Sequence, residues 1–114
     1  MNNNIKIEYF DNYAVVTMIG DFHSIEDAEQ IRETFKEIQK KGLKNILVDL
    51  KEVFFLNSPV MGSFLSGNAL VSKLDGKFVV FNANNYVENL FSVMKLNLVF
   101  SICKTLDNAL EIIK

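Results

Sequence analysis

Two short runs, Ile46-Leu47-Val48 and Phe78-Val79-Val80, constrain the fold of this chain more than any other feature. Neither alternates polar with apolar residues. A strand with one wet face alternates, whereas a strand apolar at consecutive positions is covered on both faces of its sheet. The runs lie within Asn45 to Leu50 and Lys77 to Phe81. Between them Ser58-Pro59 begins a helical stretch that ends near Leu74, with Asp75-Gly76 as the turn. Strand, helix and strand in that order predict parallel pairing through a right-handed crossover.

The flanks extend the pattern. Ile5-Lys6-Ile7-Glu8-Tyr9 alternates like a half-buried strand, Asp11-Asn12 is turn chemistry, and Tyr13 to Ile19 is rich in β-formers, so the chain opens with a hairpin. Ser24 and Asp27 form a capping-box pair ahead of an apolar stripe at Ile25, Ala28, Ile31, Phe35 and Ile38. Glu26, Asp27 and Glu29 load the start of that helix and Lys40-Lys41 its end, and Gly42 stops it. Asn82-Ala83-Asn84-Asn85 is a strand-to-helix turn in which Asn tolerates left-handed geometry. Asn85, with Glu88 three positions on, opens a helix carrying Val87, Leu90, Phe91 and Met94. A short strand is expected around Leu98 to Ile102. Thr105 then caps a terminal helix presenting Leu106, Ala109, Leu110 and Ile113. The predicted order is β-β-α-β-α-β-α-β-α: one α/β domain over residues 1–114, with a mixed, mostly parallel sheet and four helices.

Composition narrows the function. At 114 residues and 49% hydrophobic, the chain has ample material for one core. Its formal charge of −2 lacks the basic excess that nucleic-acid binding uses to displace counterions. No apolar run reaches the ~20 residues of a membrane helix. The start, Met1 to Lys6, has neither the apolar stretch nor the cleavage site of a secretion signal, and a cytoplasmic location is expected. Cys103 is alone, which suits a reducing compartment, and is read as a small packed hydrophobe; His23 is the sole histidine and is read as a solvated loop residue. Paired Cys/His metal spacing, a P-loop lysine and G-x-G-x-x-G are all missing. No catalytic residue, metal or cofactor is expected, and the chain is read as a non-enzyme.

The segment Phe54-Phe55-Leu56-Asn57-Ser58-Pro59-Val60-Met61-Gly62 is the least generic. Serine before the only proline predicts a helix start, with Ser58 as N-cap and Pro59 as first helical residue. The loops beyond the carboxyl ends of strands are where α/β sheets meet their ligands and partners. On a helical wheel Val60, Phe64, Val71 and Leu74 share a core face with Gly67, while Met61 and Leu65 form a shoulder. That shoulder is a candidate docking surface, with finishing the core as its plainer role. Gly62, Ser63, Ser66 and Gly67 lower helix propensity, so close packing on the sheet is expected to hold this helix.

With its element order, Asn45-Ile46-Leu47-Val48-Asp49-Leu50-Lys51-Glu52-Val53, the segment at Asn57 to Gly62, Phe78 to Asn82 and Lys95 to Phe100, the whole chain resembles a STAS domain, the module of bacterial anti-sigma-factor antagonists. The resemblance implies a regulatory protein that binds an anti-sigma factor, in this family often a serine kinase, and so frees the sigma factor. It implies a partner surface at Asn57, Ser58, Pro59, Met61, Gly62 and Leu65. Where the family reads Met-Asp-Ser-Ser-Gly-Leu-Gly, this chain reads Leu56-Asn57-Ser58-Pro59-Val60-Met61-Gly62, so the usual phospho-acceptor is Pro59, which has no hydroxyl. Ser58 is the shifted candidate acceptor, and an unswitched binding module fits better than a phospho-switch. The alternatives are a regulatory subunit of another assembly, such as a lipid-transport ATPase or a stressosome-like complex, and, less favoured, a small-ligand-binding domain or enzyme.

Overall fold

The two apolar runs pair with one another inside a five-stranded sheet. In the computed structural model, which describes residues 3–114, the elements are β1 (Asn4–Tyr9), β2 (Tyr13–Ile19), α1 (Ile25–Lys40), β3 (Asn45–Glu52), α2 (Ser58–Ser72), β4 (Phe78–Phe81), α3 (Asn85–Val93), a 3₁₀ turn (Leu96–Leu98), β5 (Ser101–Ile102) and α4 (Leu106–Ile112). The strands stand in sequence order, β1 to β5. β1 and β2 form the antiparallel hairpin, and the remaining junctions are parallel. Val16, Val48 and Val80 make one row across β2, β3 and β4.

The period of two explains why neither apolar run alternates. Ile46, Val48, Phe78 and Val80 point into the larger core, shared with α1, α2 and α3. Leu47, Val79 and Phe81 point the other way and pack with Val15 and with Ala109 of α4. Both faces are therefore covered, as the sequence requires.

Local signals account for most helix boundaries. Ser24 caps α1 in a reciprocal capping box with Asp27, and Gly42 follows at φ +82°, a left-handed conformation that glycine adopts without penalty. Asn82 is left-handed at φ 62°, and Thr105 caps α4. Cys103 packs at the edge of the smaller core. Glycine in α2 is a packing requirement: a Cβ on Gly67 would lie 2.6 Å from ring carbons of both Phe35 and Phe78. Those rings meet edge-on at 5.3 Å, and Phe78 meets Phe100 at 5.2 Å.

Several expectations are corrected. Ile25 is 69% exposed, because at 3.6 residues per turn it lies about a quarter-turn round from the direction shared by Ala28, Ile31, Phe35 and Ile38. Leu74 is exposed because α2 ends at Ser72, so the wheel no longer applies to it. Met94 and Leu106 are likewise exposed, as C-cap of α3 and first residue of α4. Asn84, not Asn85, caps α3, its side-chain oxygen accepting from the Val87 N–H at 2.8 Å. The strand expected from Leu98 is only Ser101–Ile102. Ahead of it Lys95 turns left-handed at φ 61°, and the Val99 and Phe100 N–H groups donate to the Leu96 carbonyl, so the backbone is satisfied locally instead of by a ladder.

Candidate functional site

β3 carries the chain to the end of the sheet, and Val53 to Asn57 then turn into α2. Buried Val53 and Leu56 anchor this loop, which leaves the two residues between them, Phe54 and Phe55, on the surface. Phe54 is 65% exposed. Phe55 stacks on the exposed ring of Tyr86 at 6.2 Å with 21° between the planes, and the Asn84 amide donates to the Phe54 carbonyl at 3.4 Å. The loop after β3 and the start of α3 thus share one surface. The Asp49 carboxylate accepts from the Asn82 amide at 3.1 Å, tying β3 to the residue after β4, and from the Lys51 N–H at 2.9 Å within β3.

Asn57, not Ser58, is the N-cap of α2. Its oxygen accepts from the Val60 N–H at 3.4 Å while its amide donates to the His23 carbonyl. The Met61 N–H donates to the Asn57 carbonyl at 3.0 Å. Ser58 is therefore the first helical residue and Pro59 the second. Both are exposed, and the Ser58 hydroxyl has no hydrogen-bond partner among the described residues. The amide matters here: a carboxylate could accept from Val60 but would present oxygen, with no proton, to the His23 carbonyl. The helix start is poorly equipped for anions. Pro59 has no N–H and the Val60 donor is taken, so among the first three helical positions only Ser58 keeps a free donor.

The predicted shoulder is split. Met61 is 5% exposed and belongs to the core, so it is corrected from docking residue to packing residue. Leu65 is 39% exposed. Gly62 lies beneath Arg32, whose Nη2 would sit 3.4 Å from a Cβ there, while the Arg32 Nε donates to the Ser66 hydroxyl at 3.3 Å. From sequence alone Phe54 and Phe55 open the least generic segment without an assigned role, and nothing marks Tyr86. The only signal was two adjacent aromatics after a strand, of which a loop anchored on either side hides neither.

His23 contributes its backbone carbonyl and N–H, the latter donating to Asp27 at 2.8 Å. Hydrogen bonds, first from the Ser24 N–H and then from His23, Asn3 and the Ser24 hydroxyl, hold the Asp27 carboxyl down at about 2 against the opposing effect of burial. At the far side of the sheet, desolvation pushes the Cys103 thiol up, away from the thiolate a nucleophile needs. Among the described residues no enclosed pocket opens, no cluster of three or more His, Cys, Asp or Glu side chains is arranged to hold a metal, and no helix is long and apolar enough to cross a membrane.

A mixed sheet opened by a hairpin, with its distinctive loop leading into α2, is the architecture expected of the family resembled above. Residues 4–109 match the STAS domain, and the chain belongs to that family. A TM1081 homolog of Thermotoga neapolitana, which carries the name of an anti-sigma factor antagonist, is 30% identical over 98 residues, covering 85% of this chain and 87% of its own. The crystal structure of TM1081 from Thermotoga maritima superposes with a TM-score of 0.87 at 23% identity, over 96% of this chain and 93% of that one. An anti-sigma factor antagonist from Mycobacterium paratuberculosis gives 0.85 at 21% identity, over 98% and 94%.

Proposed function

We propose that this chain is a non-enzymatic regulatory module of the anti-sigma-factor-antagonist kind, binding an anti-sigma factor at the end of the sheet where α2 begins and so releasing a sigma factor. The relatives' names supply the class of partner. The observation that carries the location is the exposed aromatic surface of Phe54, Phe55 and Tyr86 at the loop that leads into α2, with Ser58, Pro59 and Leu65 exposed on the helix that follows. Aromatic side chains on an open surface supply contact area for a macromolecule. Asn57 acts at the helix start as a positioning residue, Met61 supports the surface from the core side, and Gly62 lies half-buried under Arg32.

With Pro59 at the family's acceptor position the module works unswitched. Ser58 is the exposed serine at this helix start that a serine kinase could reach, since Asn57 has relieved it of capping. Added phosphate would bring about −1.5 to −2 charges to a helix start with few free donors, and would act on the partner rather than on the fold.

Affinity capture from the native cell with the wild-type chain, Leu65→Asp and Phe54→Asp tests the proposal, with captured proteins identified by mass spectrometry. An anti-sigma factor held by wild type and lost by both folded variants is the expected result. Its retention by both variants would overturn the location, and capture of a transport ATPase in its place would overturn the class. Intact mass of the recovered chain is expected to show no phosphate; one phosphate mapped to Ser58 would replace the unswitched module with a shifted switch.

A further inference from the structure

β1 is the outer strand of the sheet, and among the described residues nothing pairs with its open side. The pairing alternation identifies which groups face outward. The Phe10 N–H donates to the Tyr13 carbonyl at 2.9 Å, closing the turn, so Phe10 and Tyr13 form a hydrogen-bonded pair. Bonded and non-bonded pairs alternate along an antiparallel ladder. Glu8, Lys6 and Asn4 therefore bond inward to Val15, Thr17 and Ile19, and Ile5, Ile7 and Tyr9 turn their N–H and C=O groups to the open edge.

Proteins protect such an edge with charge, and Lys6 and Glu8 are both exposed here. Their signs are opposite and they flank Ile7, which makes the strand complementary to itself. An antiparallel pairing centred on Ile7 sets Ile7 against the second copy's Ile7 and Ile5 against its Tyr9. All of the outward backbone groups from Ile5 to Tyr9 are then used. It also sets each Lys6 opposite a Glu8 in a non-bonded pair, where facing side chains are closest. A register centred on Lys6 or on Glu8 would face like charges instead. On the other face, the half-buried Ile5 and Ile7, already packed against the larger core, would continue that apolar layer into the second copy.

We propose that β1 is a self-association edge: two copies of this chain pair antiparallel through β1, centred on Ile7, making one continuous sheet across the dimer. β2 stands between this edge and β3, so the surface around Phe54 stays open in the dimer.

Sedimentation velocity across a concentration series tests this with wild type, Lys6→Glu and Glu8→Lys, each substitution being on the surface. Wild type is expected to be in monomer–dimer equilibrium, and each single variant, with like charges facing twice, to associate about tenfold more weakly. Mixing the two variants is expected to restore association as a heterodimer, and the Lys6→Glu/Glu8→Lys double variant to restore the homodimer. A wild-type chain that stays monomeric to millimolar concentration would overturn the proposal. So would a dimer indifferent to both single variants, or single variants not rescued by mixing.

Discussion

The side-chain amide of Asn57 donates to the backbone carbonyl of His23, 34 positions earlier in the chain, while its oxygen caps α2. One side chain thereby fastens the loop entering α1 to the loop entering α2, at the place where the candidate partner surface begins. Removing it breaks both contacts. Asn57→Ala is expected to cost about 1–2 kcal/mol of stability, from the lost cap and the lost tie to the His23 loop. Asn57→Asp should fall between alanine and wild type, since it caps but has no proton for His23. Urea unfolding of the three proteins gives the ranking.

Met61 and Leu65 sit one helical turn apart with different surroundings, so their variants separate folding from binding. Met61→Ala is expected to cost about 2–5 kcal/mol, as a buried side chain leaves a cavity. Leu65→Asp should change stability by no more than about 0.5 kcal/mol and yet abolish capture of the partner. Thermal unfolding and capture on the same preparations check the pair; a Leu65 variant that binds normally would remove this face of α2 from the site.

Gly67 is in helical conformation, where alanine is normally better by about 1 kcal/mol. Here the added methyl would meet the Phe35 and Phe78 rings at 2.6 Å. Gly67→Ala is therefore expected to destabilise by about 1–3 kcal/mol, overpacking outweighing propensity. Denaturant midpoints decide the sign.

Asp27 supplies a pH dependence. Its carboxyl sits at about 2 in the folded chain against an ordinary 3.8. A group whose folded pKa is depressed stabilises the fold fully above its unfolded value, and that contribution fades as pH falls from 3.8 toward 2. Wild type should exceed Asp27→Asn in stability at neutral pH, with the gap closing through that acid window. Parallel unfolding curves over pH measure it; a gap independent of pH would show that the charge plays no part.

Much of the architecture was legible in the sequence because its signals are local. The capping box at Ser24 and Asp27, the double-faced runs in β3 and β4 and the cap at Thr105 each depend on neighbours a few positions away. The chain from Leu98 reads as a strand because apolar content alone does not distinguish a ladder from a turn whose N–H groups return to Leu96. At the site, Ser58 and Pro59 marked the helix start within one residue. The shift to Asn57 could not be read locally, because the His23 carbonyl that favours it arrives only when the chain has folded.

By itself the sequence determined the order of elements and the strands covered on both faces, since hydrophobic period and turn chemistry act over a few residues; the family was legible only through the resemblance of its motifs. Tertiary structure decided which residues of that frame meet the outside. Met61 went inward, Phe54 and Phe55 outward, and Ser58 was left without a capping role. Exposure depends on what the other layers happen to cover: on one shoulder of α2 the core reaches Met61 and leaves Leu65, a turn further on, at the surface.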